Sequence, residues 1–425
     1  MVRNPVERWF CILAGCVLLG GCGPQPPAAS AVAAARITVG PDAQTARFLQ
    51  QHWARPLAPQ GPPPGSAAAT GISLSAQSCA TCHAGQFEDW RHSLHSRAMD
   101  AGVLGQLVDM PAHARDDHQG CTRCHAPLAE QADSLVSTLE KLQTSGPRAA
   151  AGMHDTAPLH EQGLVCAACH VRQGVWYGPP RRDGSGPAAD PRASPHGGWK
   201  AEQAFESSHF CAACHQFDSE GYALNGKLLE NTVNEWQDSR HAREGTSCQS
   251  CHMPDRRHLW RGIHDPEMVR RAVRIEVDAA DLIDGRLVSR MTVTNSGVGH
   301  FFPTYVTPQV VIRAFQQDAG GRELAGTDRA FVIARQVTQD LGREIADTRI
   351  PPDGQAVFDY RVPHQRGAKE LIWQVQVQPD AFYLELYEGL LRSPQGGNGR
   401  QLIRQARDNA AASPYQLYST RLPLP

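Results

Sequence analysis

Apolar and polar positions follow two different patterns along this chain, and the change falls near residue 268. Between about 76 and 265 no stretch alternates clearly. Short amphipathic segments, such as 86–99 and 128–142, are separated by loops rich in Gly and Pro, and a long loop runs over 178–198. That loop is so poor in apolar residues that its structure is expected to rest on something other than its own core. Beyond 268, the runs 270–278, 286–295, 309–317, 331–338, 355–362 and 370–378 alternate apolar and polar residues, each bounded by Gly, Pro, Asp or Asn. A period of two buries one face of a strand. Several short strands at this spacing predict an antiparallel β-sandwich of immunoglobulin-like character. The expected fold class is therefore α+β: a mostly helical, loop-rich region over 76–266, a β-sandwich over 267–395, and a tail over 396–425 that holds a short helix and then extended residues.

The first residues read as a targeting segment. Arg3 and Arg8 give a positive start, and 9–19 is an apolar run too short to span a membrane comfortably. Leu19-Gly20-Gly21-Cys22 then resembles a bacterial lipobox, in which Cys22 is lipidated and becomes the first mature residue. An uncleaved anchor or an ordinary signal peptide is the alternative; the small-small-Cys ending directly after the apolar run favours the lipobox. Cys11 and Cys16 leave with the signal peptide of residues 1–21. Glycine rather than aspartate after Cys22 points to the outer membrane. Residues 22–75 are rich in Pro and Ala and read as a tether, with a short helix near 43–51. The mature protein is expected to be anchored to a membrane of the bacterial envelope and not embedded in it.

Composition adds one decisive fact. The 425 residues carry a formal charge of -2 and no long basic run, which gives no reason to expect a nucleic-acid partner. They also carry 13 cysteines and 19 histidines. Ten of those cysteines fall in Cys-x-x-Cys-His, which occurs five times: Cys79/Cys82/His83, Cys121/Cys124/His125, Cys166/Cys169/His170, Cys211/Cys214/His215 and Cys248/Cys251/His252. Two thiols three positions apart can each add to one vinyl group of a haem, and the next histidine then lies under the ring and ligates the iron. Zinc ribbons also use paired CxxC, but they do not require a histidine after every second cysteine. Disulfides rarely close five four-residue loops, and a thiol redox motif normally occurs once. Five covalently attached haems c are the expected cofactors.

The opposite face of each iron needs its own ligand. Fourteen histidines lie outside the motifs, against seven methionines, so bis-histidine ligation and low reduction potentials are expected. His95 stands in Trp90-x-x-Ser93-x-His95 and His241 in Trp236-x-x-Ser239-x-His241, the same small pattern twice. These two are the first candidates. His258 and His264 follow the fifth motif, His196 lies in the long loop, and His300 stands in Gly299-His300-Phe301-Phe302-Pro303-Thr304. His113, His118, His154, His160 and His209 read equally well as structural or solvated histidines, and His52 and His364 as peripheral ones.

These residues resemble the multihaem c-type cytochromes whose haem domain is like that of cytochrome c-554. The motif with its following aromatic and Trp-x-x-Ser-x-His matches 79–95. Cys121 to Leu128, Cys166 to Arg172, Phe210 to Phe217, and Trp236 through Cys248-x-x-Cys-His252-Met253-Pro254 to His264 fit its later elements. The Gly299 to Thr304 stretch recurs in relatives with a β-domain after the haems. The resemblance implies closely packed haems and electron transfer. The expected partners are other redox proteins of the respiratory chain or envelope, with stacking on other multihaem cytochromes as one option. A fifth haem and an appended β-domain depart from the tetrahaem members, so their ligand sets do not transfer wholesale.

Five irons closed on both faces would pass electrons and leave no metal site for a substrate. The competing reading is a reductase or oxidase of a small nitrogen or sulfur compound at one open iron. No CxxCK occurs, which counts against the pentahaem nitrite reductases in particular. The β-domain is expected either to dock a partner or to cover a haem through His300.

Overall fold

The computed structural model describes residues 40–61, 73–108, 110, 115–145, 157–186, 197–393 and 397–424; the signal segment, Cys22 and His196 lie outside them. In the first half, polar residues start the helices. Asp42 accepts from the backbone N–H groups of Gln44 and Thr45 at 2.9 Å each and begins Ala43–His52. Ser247 and Ser250 exchange side-chain and backbone hydrogen bonds at the start of Cys248–His252. Asp265 accepts from Met268 N–H at 2.8 Å, and Pro266 fills the first turn of Pro266–Ala272. Most helices here are only one or two turns long, as in Ala84–Arg91, Thr232–Gln237 and Arg240–Arg243. Pieces this short are marginal alone and depend on what packs against them. Among the described residues no helix is long and apolar enough to cross a membrane.

Strand β1 (Val171–Arg172) pairs with β2 (Val175–Gly178), β3 (Lys200–Ala201) joins β2 in parallel, and β4 (Ala223–Leu224) pairs with β5 (Lys227–Leu228). The β region follows as β6 (Val273–Val277), β7 (Asp281–Ile283), β8 (Arg286–Asn295), β9 (Gln309–Asp318), β10 (Arg329–Ile333), β11 (Arg335–Val337), β12 (Glu344–Asp347), β13 (Gln355–Pro363), β14 (Ala368–Gln378) and β15 (Tyr415–Pro423). One antiparallel sheet runs β13-β8-β6 with β7 also on β8; the other runs β10-β9-β14-β15. The expected α+β architecture is present. Leu287 and Met291 of β8, Ile312 of β9, Tyr360 of β13, and Trp373 and Val375 of β14 meet in the core between the sheets. Burying each such side chain contributes roughly 1.5–3 kcal/mol. Trp373 satisfies its one polar atom by donating Nε1–H to Ser289 Oγ at 3.2 Å.

Three sequence expectations change. The alternating run 331–338 splits at Ala334, and β10 and β11 belong to different sheets. The reason is Arg335, which leaves the sandwich to reach the first half of the chain. Its guanidinium donates to Glu344 at 2.9 Å and to the carbonyls of Leu228 and Lys227 at 2.6 and 2.9 Å. The tail does contain a helix, Arg400–Ala412, and an extended segment, but it is not peripheral. β14 has β9 on one edge only, and β15 completes its hydrogen bonding on the other. The helix expected near 43–51 is present as Ala43–His52, but it packs into the body and buries His52, which the sequence placed at the periphery. Thr38–Pro425 forms one compact unit.

Helices Ala381–Arg392 and Arg400–Ala412 return to helix Ala101–Leu107 and share a core with it. Two glycines permit the close approach: a Cβ on Gly102 would overlap the Tyr387 hydroxyl, and one on Gly105 would lie 2.8 Å from Ile403 Cδ1. Gly102→Val is expected to lose about 1–3 kcal/mol through overpacking. Denaturant unfolding of the variant checks this; unchanged stability would show that the contact yields without cost.

Candidate functional site

Each Cys-x-x-Cys-His is a helical turn. His83 N–H donates to Cys79 O at 2.9 Å and His215 N–H to Cys211 O at 3.0 Å. Cys166–His170 and Cys248–His252 are helices in themselves, and Cys121 to His125 end Arg115–His125. Positions three and four apart share one face of a helix, so both thiols and the imidazole project together. All ten motif cysteines are free thiols. Among the described residues no three His, Cys, Asp or Glu side chains converge as a metal cluster, so the CxxC pairs do not assemble into zinc-type tetrads.

The imidazoles are oriented. Nδ1 of His125 hydrogen-bonds Ala98 O at 2.5 Å, that of His170 Tyr177 O at 2.8 Å, and that of His252 Arg261 O at 2.6 Å. His215 uses the Tyr305 hydroxyl at 2.5 Å. A carbonyl only accepts, so the proton of those rings sits on Nδ1 and Nε2 keeps a lone pair for iron. His258 and His300 are fixed the same way, to Arg256 O at 3.0 Å and Phe301 O at 2.9 Å.

The rings also face one another in pairs. His95 and His215 have centroids 6.2 Å apart, His170 and His258 6.2 Å, and His252 and His300 6.4 Å. A metal–imidazole bond is about 2 Å and the ring centre lies roughly 1 Å further, so two imidazoles across one metal stand about 6 Å apart. The three separations fit a bis-histidine iron. Burial pushes His95 down to about 3 and His170, His215 and His300 down to about 4, which keeps them in the neutral, ligating form.

The segments that carry His95, His241 and His258 are held by their surroundings. In both Trp-x-x-Ser-x-His repeats the Ser hydroxyl turns back onto the Trp carbonyl at 2.7 Å, ending the helix. The Trp90 and Trp236 indoles donate to Leu164 O at 2.8 Å and Thr246 O at 2.9 Å. The repeat is thus one local structure used twice. Asp89 accepts from Arg257 and, at 3.0 Å, from His258 N–H, which pins the segment carrying His258. His241 lies against Gly299, and its Nε2 is buried without a hydrogen bond. It faces no described histidine at the iron-spanning distance. Among the described residues His264 is not in a facing pair either; its Nε2 lies 3.0 Å from Asp380 Oδ2. Sequence reading missed Tyr305 and Asp89, each beside a residue it had singled out. It also missed His52, whose Nε2 reaches Cys169 O at 2.8 Å and whose ring stacks on Phe48.

Thiols of different motifs meet. Cys79 lies beside Cys166, Cys124 beside Cys214, and Cys211 beside Cys248. Cys169 lies close enough to Cys211 and Cys214 for their charges to interact.

Residues 78–171, which hold the first three motifs, match the sequence profile of the family described as cytochrome c554 and c-prime. That stretch has the character of a multihaem c-type cytochrome. The fold of the chain overlays that of a penta-heme cytochrome c552 from Thermochromatium tepidum with a TM-score of 0.54 at 16% identity, over 82% of this chain and 98% of that one. At this identity the likeness is one of fold. A second structure, Northeast Structural Genomics Consortium target SoR45, overlays with a TM-score of 0.17 at 11% identity, over 36% of this chain and 88% of that one. Comparison with curated proteins gave no match. The match supports covalently bound haem c at CxxCH motifs, and c-type cytochromes generally exchange electrons with other redox proteins.

Proposed function

We propose that this cytochrome carries five haems c, one on each motif, and relays electrons between redox partners in the bacterial envelope while tethered by a lipid on Cys22. The observation that carries the relay is the set of three imidazole pairs at 6.2–6.4 Å, because an iron held on both faces can accept and pass an electron but cannot bind a substrate. Bound haem supplies the one-electron chemistry. His170 with His258, His215 with His95, and His252 with His300 would hold the iron from both sides. The carbonyls and the hydroxyl on Nδ1 fix ring orientation and donor strength.

The thiol contacts support an order for the relay. Haems attached at Cys79 and Cys166 would be neighbours, as would those at Cys124 and Cys214 and those at Cys211 and Cys248. Cys169 beside Cys211 and Cys214 links the third motif to the fourth. The fourth motif then has three neighbours and is the branch point. Partners would approach at the ends, where Cys82, Cys121 and Cys251 are exposed. The likeness in fold to a penta-heme cytochrome fits this count.

Pyridine haemochrome analysis together with the mass of the mature chain tests the reading. Five haems and a diacylglyceryl group on Cys22 are expected. A colourless protein, or one whose mass matches bare polypeptide, would refute it. In the untreated protein, a reduced haem that binds carbon monoxide would favour the reductase reading instead.

A further inference from the structure

His215 differs from His125, His170 and His252 in what holds its Nδ1. For His125, His170 and His252 the partner is a main-chain carbonyl, which any sequence would supply. For His215 it is the phenol of Tyr305 at 2.5 Å, with the two rings stacked at 6.2 Å and 20°. Tyr305 comes from the loop before β9, five residues beyond His300. One loop therefore reaches two neighbouring motifs, facing His252 with an imidazole and His215 with a phenol. Glu230 lies behind the phenol. Its Oε2 is buried without a hydrogen-bond partner, and its charge acts on the Tyr305 phenol. With Nε2 left for iron, Nδ1–H donates to the Tyr305 oxygen, and the Tyr305 O–H remains to be given to Thr232 or Glu230, both of which lie beside it.

We propose that Tyr305 is a positioning residue that sets the reduction potential of the haem on Cys211, Cys214 and His215 by accepting a hydrogen bond from the axial imidazole. This rests on the reading that the fourth motif holds a haem. An acceptor on Nδ1–H makes the imidazole a stronger electron donor, which favours the oxidised iron and lowers the potential. At the branch point, that potential decides how electrons divide among the three neighbours.

The test is Tyr305→Phe in the full-length, haem-loaded protein, followed by spectroelectrochemical titration and electron paramagnetic resonance. One midpoint potential is expected to rise by about a tenfold change in the ratio of oxidised to reduced haem, about 59 mV for a one-electron couple, with every low-spin signal retained. Glu230→Gln, which keeps the phenol, is expected to move the same potential in the same direction by less. Potentials that do not move, or that all move together, would overturn the proposal. Should Tyr305→Phe not take up haem, Glu230→Gln decides alone: a shift of one potential supports the proposal and no shift overturns it. The mass of the Cys211–Cys214 peptide from unmutated protein reports separately on the parent reading, and a bare peptide would overturn both.

Discussion

Exchanging His300 for alanine is expected to turn one low-spin haem into a high-spin haem that binds carbon monoxide once reduced, while the other haems keep their spectra. The geometry behind this is specific. The His300 ring lies 6.4 Å from that of His252 with only 15° between the planes. Its Nδ1 is tied to Phe301 O at 2.9 Å, which leaves Nε2 for the iron. Phe301 N–H is in turn held by Glu235 Oε2 at 3.0 Å, so the loop cannot easily turn the ring away. Among the described residues His241 is a nearby competitor, since it lies against Gly299 with an unpaired Nε2. If His241 moves in, the single variant stays low-spin and His300→Ala/His241→Ala becomes high-spin. Carbon monoxide titration of both variants distinguishes these outcomes. Low-spin spectra throughout in the double variant would remove His300 from the ligand set. The expected result would make the β region part of the haem architecture, because an axial ligand of the fifth motif would come from the loop between β8 and β9.

How much of this was legible beforehand depended on how local each signal was. Five CxxCH motifs need only one helical turn apiece, so their chemistry can be read directly from the spacing. The Trp-x-x-Ser-x-His repeat is equally local: Ser93 and Ser239 each turn back onto a Trp carbonyl three residues earlier. Period-two runs marked most of the sandwich, because β8 and β13 bury alternate residues against one core. What the sequence left open was decided at long range. Nothing in 415–423 says that β14 lacks a partner on one edge. His264 follows the fifth motif as closely as a ligand would, yet Asp380, 116 residues later, takes its Nε2. The pairing of His95 with His215, not with a motif nearer in sequence, is likewise a property of the packed structure. Tyr305 could have been suspected only from its place one residue beyond a stretch already noted for His300.

Arg349→Met is expected to be the most destabilising single change and to loosen the haem loop as well. The Arg349 side chain is 3% exposed and faces a Glu235 side chain that is 5% exposed. Its Nη1 donates to Glu235 Oε1 at 3.1 Å and to Thr304 O at 2.5 Å, while Nε and Nη2 donate to Asp347 at 2.9 and 3.0 Å. Glu235, on helix Thr232–Gln237 of the first half, uses its other oxygen for Phe301 N–H at 3.0 Å and the Thr304 hydroxyl at 3.3 Å. One guanidinium therefore joins the first half, β12 and the loop that carries His300 and Tyr305. Burial pushes the Glu235 carboxyl up, and only Arg349 and the loop's hydrogen bonds work against that. Removing the cation leaves that carboxylate buried and uncompensated, a loss of about 3–5 kcal/mol. Asp347 suffers less because Lys227 Nζ stays 2.6 Å away. Thermal or denaturant unfolding reads the loss, and the His252–His300 haem should show a growing high-spin fraction before global unfolding. Glu235→Leu/Arg349→Met removes both charges and is expected to recover part of the stability, while the loop, now without its Glu235 acceptor, stays loose. Stability that falls additively in the double variant, or an Arg349→Met protein that melts with the wild type, would show that the pair does not clamp this loop.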